Sequence, residues 1–228
     1  MRSTRLFARA LTAALLLCVP LGLTVLALPR MMQGARTGPA LFVTRSAIVG
    51  LPFSHEQYRA ALDAYAATPS DDGDDLAWKA ELSRLAGVPL PVVREEAVDA
   101  LDHEPGNVRV WTLLCEIESK RSPAAAVSCL DLAFQVGSYD WFTTRRRMTL
   151  VAAEWPYLDE KLRDAAVARV LPMWHSNRWI NGISLRGVLY SLGTTANGRQ
   201  MIEAGFGTDA TLYRKFLIQL ILEELNAS

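Results

Sequence analysis

Three consecutive arginines, Arg145, Arg146 and Arg147, follow Trp141 closely and are the residues best suited to bind a ligand. Guanidinium groups form paired hydrogen bonds with carboxylates, and a nearby aromatic ring can support an acidic or sugar-acid ligand. On a helix three consecutive residues spread over about 200°, so at most two of them share a face. The pattern favours a solvated arginine face, and it leaves Trp141, Arg145 and Arg146 as a candidate ligand or partner patch.

Two cysteines form the second candidate group. Cys115 and Cys129 fall on two consecutive helices that the apolar spacing predicts. If this part of the chain is exported, both thiols meet an oxidising compartment, in which disulfides persist. Facing residues of a helical hairpin can approach the Cα separation of about 4.4–6.8 Å that a disulfide needs. Because Cys129 lies at the edge of its apolar stripe, the sequence leaves two alternatives open: a disulfide, or two small buried thiols.

The other polar clusters lack the spacing of a metal or catalytic site. The three histidines, His55, His103 and His175, have no ligand partner three or four residues away. The glycine of the acidic run 71–75 is misplaced for a calcium loop, and segment 193–199 lacks the Lys-Ser/Thr end of a phosphate-binding loop. No nucleophile–base pair or carboxylate pair stands out. We therefore expect a protein that is not an enzyme and uses no cofactor or metal.

The composition excludes two further classes of protein. The chain has 228 residues, and its 24 Lys and Arg balance its 24 Asp and Glu. A general nucleic-acid binder usually has a basic excess, so we expect no nucleic-acid partner. Half of the residues are hydrophobic and 21% are charged, which is the composition of a folded domain and not of a disordered chain.

An uncharged apolar segment near the N-terminus predicts a membrane anchor. Residues 10–28 carry no charge and would span roughly 28 Å as a helix, close to the thickness of a bilayer's hydrocarbon core. Arg2, Arg5 and Arg9 precede the segment and favour a cytoplasmic N-terminus. A cleaved signal peptide is the alternative, although its apolar core is usually only about 7–15 residues long. We expect residues 1–29 to be a signal anchor.

The remaining chain divides into a linker and a helical domain. Glycines and prolines between residues 30 and 53 predict a juxtamembrane linker, whose apolar patches could form short strands or pack as irregular chain. Ser54 and Gln57 have the spacing of a helix capping box. From there on, apolar residues recur at helical intervals, without the alternation typical of strands. We therefore predict an all-α domain over residues 54–228, with about nine helices stacked as antiparallel hairpins.

The hairpin between Asn107 and Gly137 resembles a tetratricopeptide repeat. The first helix carries Trp111 and Leu114 three residues apart, and the second carries a matching apolar series at Ala126, Leu130 and Ala133. The chain departs from the repeat's pattern because a cysteine replaces its glycine, a leucine replaces its phenylalanine and no proline closes the unit. The resemblance implies stacked hairpins that present a concave, protein-binding surface, with Trp111 in the core.

A second resemblance concerns the Trp- and Arg-containing segment 140–159, which is similar to helical-repeat accessory proteins of bacterial exopolysaccharide or O-antigen loci. The repeat-like hairpins imply a scaffold or adaptor. From the apolar segment 10–28 and the arginines before it, we expect this adaptor to be held in the bacterial inner membrane, with its C-terminal domain in the periplasm. Its partners would be proteins of an envelope assembly, such as one for polysaccharide synthesis or export. The alternative is a soluble periplasmic protein that binds a saccharide or acidic ligand through Trp141 with Arg145 or Arg146.

The apolar segment generates a prediction about retention in the membrane. After washing with alkaline carbonate, the full-length protein should remain with the membranes, because a helix that spans the hydrocarbon core is not released with peripheral proteins. Immunoblotting of the washed membranes through a C-terminal tag measures this. A soluble mature form that begins near Leu28 would instead show that the segment is a signal peptide.

Overall fold

The computed structural model describes residues 34–35, 37–48, 51–137, 141–176, 179–180, 183–207 and 209–227. In this part of the chain the predicted all-α class is confirmed. A short antiparallel hairpin of two-residue strands, β1 (Trp179–Ile180) and β2 (Ile183–Ser184), joins two of the helices. The predicted membrane anchor lies outside the described residues. Within them, no helix combines the length and the apolarity needed to cross a bilayer.

The helices are numbered in chain order. They are α1 (residues 34–35 and 37–48), α2 (His55–Ala66), α3 (Gly73–Leu85), α4 (Leu90–His103), α5 (Val108–Ser119), α6 (Pro123–Val136), α7 (Trp141–Glu154), α8 (Glu160–His175), α9 (Leu185–Gly193), α10 (Ala196–Phe206) and α11 (Ala210–Ala227). A turn of 3-10 helix, Trp155–Tyr157, follows α7.

Short polar side chains set the helix starts. The predicted capping box is confirmed: the Ser54 hydroxyl accepts from the Gln57 N–H at 3.2 Å, and the Gln57 side chain accepts from the Ser54 N–H at 2.8 Å. Each such bond satisfies a backbone donor that has no partner inside the helix. Among the described residues, side chains cap seven further helices in the same way, at Asp72, Asn107, Ser122, Asp159, Ser184, Thr195 and Asp209.

Part of the predicted linker is a helix, so the expectation of short strands or irregular chain there is wrong. Residues 37–48 are helical in spite of Gly38 and Pro39, which are usually read as helix breakers. Ala40 is buried in a small cluster against α2 and α3. Inside the helix, the Thr44 hydroxyl donates to the Ala40 carbonyl at 2.8 Å. Burial of this apolar face offsets the low helix propensity of Gly38 and Pro39.

Trp78 on α3 connects α1 to the hairpins that follow. Its ring is almost fully buried, with the Arg45 guanidinium 4.9 Å from the centroid and the Arg109 guanidinium 3.7 Å from it. Asp74 accepts hydrogen bonds from the Trp78 indole at 3.1 Å and from Arg109 at 3.0 Å. The charges on this cation–π stack are therefore partly neutralised where three helices meet.

Helices joined by short links pack side by side, α3 against α4 and α5 against α6, and the contact of α4 with α5 stacks the two pairs. Helices α8, α9 and α10 pack together in the second half, and one apolar core runs from α3 to α11. Trp111, which the sequence places in the core, is partly buried and packs against the core from its edge. Its indole donates to the Pro105 carbonyl at 2.8 Å, which keeps the ring at the rim of the hairpin.

Five aromatic residues hold the C-terminal helices together. Trp174 makes edge contacts with its neighbours at centroid distances of 5.5–6.3 Å, and Phe216 of α11 stacks on two tyrosines at 5.8 and 6.3 Å. Such pairs add to the free energy gained by burial alone. The cluster, which ties α11 to α8, α9 and α10, comprises Trp174, Tyr190, Phe206, Tyr213 and Phe216.

Because α8 packs closely on α10, a single methyl group added between these helices should destabilise the fold. A Cβ added at Gly205 would overlap the Val170 side chain. We expect Gly205→Ala to lower the free energy of unfolding by about 1–3 kcal/mol, although alanine alone favours a helix by about 1 kcal/mol.

Urea unfolding of Gly205→Ala and of the wild type measures this difference in the free energy of unfolding. Gly106→Ala is the control, because a Cβ there meets nothing within 4 Å and the backbone does not have a positive φ. It should change the free energy of unfolding by less than about 0.5 kcal/mol. If Gly205→Ala stabilises the protein, α8 and α10 are not packed this closely.

Candidate functional site: a basic groove beside a buried ion-pair network

A groove of about 730 Å³ lies between α3, α5 and α7, and it combines cations with an apolar lining. Four basic side chains border it, and only one carboxylate, Glu116, shares the border with them. The apolar residues come from five elements and give the groove a water-poor lining. The basic residues are Arg84, Lys120, Arg145 and Arg146, and the apolar ones are Ala47, Ile48, Leu85, Leu90, Ile117 and Leu150.

Each of these basic residues has a defined position in its helix. Arg84 lies in the last turn of α3, and Lys120 is the residue that caps the end of α5. Both positions suit a cation, because the C-terminal end of a helix carries partial negative charge. Arg145 and Arg146 lie in the second turn of α7. A neighbouring pocket of about 490 Å³ shares Lys120 with the groove, and its lining also includes Glu95.

One edge of the groove is fixed by a network of two arginines and two carboxylates. Arg146 binds Glu116 through two parallel hydrogen bonds, of 2.6 Å from Nε to Oε1 and 2.5 Å from Nη2 to Oε2. Its Nη1 also donates to Oε1 of Glu81 on α3. Arg84 Nε donates to the second oxygen of Glu81 at 3.2 Å. The network thus connects α3, α5 and α7 behind the groove.

Glu81 is the least accessible member of the network, since none of its side chain is exposed. Burial by itself would raise the pKa of its carboxyl, but Arg146 and Arg84 hold that pKa below its usual value. Burial would likewise lower the pKa of Arg146, whereas Glu81 and Glu116 raise it. Glu81 and Arg146 are therefore both charged at neutral pH, and each compensates for the water that the other has lost.

The structure separates the three arginines that the sequence grouped. Arg145 is exposed in the groove, while Arg146 is already held by two carboxylates and is not a free ligand-binding group. Arg147 is buried, donates to the Ala133 carbonyl at 3.1 Å and lies 5.4 Å from the Phe134 ring. Trp141 begins α7, and its side chain lies outside the described part. Only Arg145 of the candidate patch is left with a free charge facing the groove.

The cysteine pair lies next to this network. Cys115 on α5 and Cys129 on α6 are joined by a disulfide, with their Cα atoms 5.3 Å apart. Both residues are buried. The bond joins the two helices of one hairpin directly beside Glu116, so it restrains the helix that supplies this carboxylate.

The other polar clusters serve as caps and turns. Asp72 caps α3, Asp74 binds Trp78 and Arg109, and residues 193–199 include the turn between α9 and α10. The Nδ1 atom of His103 lies 2.9 Å from the carbonyl oxygen of Asp99. Within the described residues, no group of three or more His, Cys, Asp or Glu side chains is placed to hold a metal ion.

The sequence interpretation did not single out Glu81, Arg84, Glu116 or Lys120. A signal for Glu81 exists, because it lies between Trp78 and Leu85 on the apolar stripe of α3. A carboxylate on the buried face of a helix is rare and implies a cationic partner. The partner itself is not visible in the sequence, because Arg146 is 65 residues away.

Comparisons with protein-family models, with curated proteins and with solved structures found no match. The resemblances to tetratricopeptide repeats and to polysaccharide-locus accessory proteins therefore stay predictions.

The buried network generates a prediction about stability. We expect Glu81→Gln to lower the free energy of unfolding by about 3 kcal/mol, the lower end of the cost of breaking a buried ion pair, because Arg146 keeps Glu116. The control, Glu95→Gln, removes an exposed carboxylate from α4. This change should alter the free energy of unfolding by less than about 0.5 kcal/mol. Urea unfolding at neutral pH measures both variants.

The charge of Glu81 also predicts that the destabilisation by Glu81→Gln depends on pH. The pKa of Glu81 is lower in the folded chain than the ordinary value of 4.5, so its stabilisation is fully present above that value. The stabilisation is lost as the pH falls through the folded pKa. The difference in the free energy of unfolding between wild type and Glu81→Gln should thus shrink as the pH falls below about 4.5. A constant difference over this range would mean that Glu81 is not ionised in the folded protein.

Proposed function

We propose that this protein is a non-enzymatic adaptor that binds an acidic segment of a partner protein in the groove between α3, α5 and α7. The observation that carries the proposal is the pair of cations Lys120 and Arg145. Both are exposed, and neither has an ion-pair partner among the described residues. They stand beside an apolar lining, in which a charge–charge contact is stronger than in open water.

The charge balance of the groove favours an anionic ligand. Arg84, Lys120, Arg145 and Arg146 meet two carboxylates, Glu81 and Glu116, which leaves an excess of two positive charges. Those carboxylates hold Arg84 and Arg146 in place. Both arginines therefore form part of the groove's border and are not available to bind a ligand. Lys120 and Arg145 supply the excess charge that a ligand would neutralise.

The neighbouring pocket continues the groove without adding to its excess positive charge. Its lining includes Arg94 and Arg121, which bind the two oxygens of Glu118 at 2.7 Å each. Glu95 also lines this pocket, so Glu95 and Glu118 balance its two arginines, and the excess positive charge stays at Lys120 and Arg145. A ligand that follows both pockets would be extended, as a peptide segment is.

The apolar lining favours a peptide over a saccharide. Sugar rings commonly pack on aromatic side chains, and the lining of the groove contains none among the described residues. Its apolar surface is aliphatic, with Ile48, Leu85 and Leu150 among the contributors. Such a surface suits a segment in which acidic residues alternate with aliphatic ones. The alternative function, a soluble periplasmic binder of a saccharide, is therefore less well supported.

We also propose that residues 10–28 anchor this adaptor in a bacterial inner membrane, with the groove in the periplasm. The proposal rests on the apolar length of the segment and on the arginines before it. Five residues separate this segment from position 34, where the described helix α1 starts, and a chain of that length spans at most about 18 Å. The groove would then meet partners close to the membrane surface. A place in polysaccharide synthesis or export is a narrower proposal that rests on the resemblance of segment 140–159.

A labelled peptide of alternating glutamate and leucine tests the groove by fluorescence anisotropy. We expect the double variant Lys120→Glu, Arg145→Glu to weaken its binding at least about tenfold, because two attractive charges become repulsive. The matched control, Arg59→Glu with Arg199→Glu, changes the net charge equally at exposed positions of α2 and α10 and should bind as the wild type does.

Two comparisons make the result decisive. Equal weakening in both double variants would show that only the net charge matters, and the groove would not be the site. A short glucuronate oligosaccharide, used as the second probe, would compete poorly with the peptide. If the oligosaccharide binds more tightly and the groove variant abolishes its binding, the saccharide alternative is correct.

A further inference from the structure

A second site, the C-terminal pocket, lies where α8, α9 and α11 meet. It holds about 300 Å³ and is lined by Trp174, Arg186, Tyr190, Lys215, Ile218 and Gln219. None of these residues lines the basic groove or the pocket beside it. The volume is at the small end of the range of about 300–1,000 Å³ that small-molecule sites occupy. The C-terminal pocket therefore suits a ligand the size of a single ring.

Two helices bring the polar side chains of this pocket together. Arg186 and Tyr190 are four residues apart on α9, and Lys215 and Gln219 are four residues apart on α11. Residues at this spacing share one face of a helix. Helices α9 and α11 pack against each other, so two cations from different helices border one pocket. The buried Trp174, near the end of α8, completes the lining.

Arg186 is held in place without a carboxylate. Its Nε donates to the Trp174 carbonyl at 3.1 Å, and its guanidinium lies 4.8 Å from the centroid of the same residue's ring. The two terminal nitrogens of the guanidinium have no hydrogen-bond or ion-pair partner among the described residues. Two such nitrogens, side by side in one plane, match the two oxygens of a carboxylate. Because the guanidinium is already fixed, an anion loses little free energy in ordering it.

The second cation of the pocket is also unpaired. Lys215 is exposed and has no ion-pair partner in the part of the chain that the structure describes. No carboxylate is among the described residues that line this pocket, so Arg186 and Lys215 leave an excess of two positive charges. The aromatic surface next to them strengthens a charge–charge contact relative to open water. The pocket therefore favours an anionic ligand.

The remaining lining residues suit a sugar ring. The ring of the half-buried Tyr190 stacks on Phe216 at a centroid distance of 5.8 Å, and Trp174 makes an edge contact with it at 6.2 Å. Both lining rings are thus fixed before a ligand binds, and an aromatic surface of this kind is the one that the basic groove lacks. The exposed Gln219 carries an amide that can donate to, and accept from, hydroxyl groups.

We propose that the C-terminal pocket binds a sugar acid, which is a saccharide ring that carries a carboxylate. Arg186 and Lys215 bind the carboxylate, while the ring lies against Tyr190 with its hydroxyls near Gln219. An inorganic anion would use only the two cations, and a neutral sugar would use only the rings and the amide. This site is separate from the basic groove, and the proposal does not depend on what the groove binds.

Ligand-detected NMR titration of the full chain, in micelles of a detergent without a sugar headgroup, tests the proposal with three probes. Methyl glucuronide carries both features, methyl glucoside has the same ring without the carboxylate, and inorganic phosphate is an anion without a ring. We expect a dissociation constant of about 1 mM or below for methyl glucuronide. The other two probes should bind at least about tenfold more weakly, because each lacks part of the contacts.

Two double variants locate the binding site. Arg186→Gln with Lys215→Gln should weaken the binding of methyl glucuronide at least about tenfold. The matched control, Arg59→Gln with Arg199→Gln, removes two charges at exposed positions of α2 and α10 and should bind as the wild type does. Far-UV circular dichroism checks the fold of both. Lys215→Glu alone changes an exposed side chain, so it should weaken methyl glucuronide even if replacing Arg186 disturbs α9.

Four outcomes would overturn the proposal. They are no binding of methyl glucuronide at about 10 mM, equal affinity for phosphate or for methyl glucoside, equal weakening in the two double variants, and unchanged binding in Lys215→Glu. Selective binding of methyl glucuronide that is lost only with the pocket's cations would support it.

Discussion

The burial of one carboxylate, that of Glu81, constrains this structure more than any other single feature. A charged group without exposed surface is tolerated only if cations and hydrogen bonds replace the water around it. Arg146 and Arg84 meet this requirement, and Arg146 is itself held by Glu116 through paired hydrogen bonds. The positions of α3, α5 and α7 are thereby coupled. The groove lies where they meet, so its shape depends on an ion pair that a ligand need not touch.

Two further contacts keep the groove's borders in place. The disulfide between Cys115 and Cys129 joins α5 to α6, and Trp78, stacked between Arg45 and Arg109, joins α1 to α3. These two contacts add to the restraint that the Glu81 network places on the helices around the groove. A rigid groove loses little conformational entropy when it binds, which favours recognition through the few free charges that remain.

Helix α11 contributes no residue to the lining of the groove. The aromatic cluster around Trp174 and Phe216 attaches α11 to the helices behind it.

The sequence by itself determined the helical class and several helix starts, such as those at Ser54 and Asp159, because a cap and an apolar stripe depend on residues three or four positions apart. The sequence also carries a signal that the interpretation missed, because Glu81 is a carboxylate on an apolar stripe. Only the tertiary structure decided that residues 37–48 form a helix, that Trp111 lies at a rim and that Arg145, Arg146 and Arg147 have three different environments. Those outcomes depend on neighbours tens of residues away, whose positions are set by packing and not by local spacing.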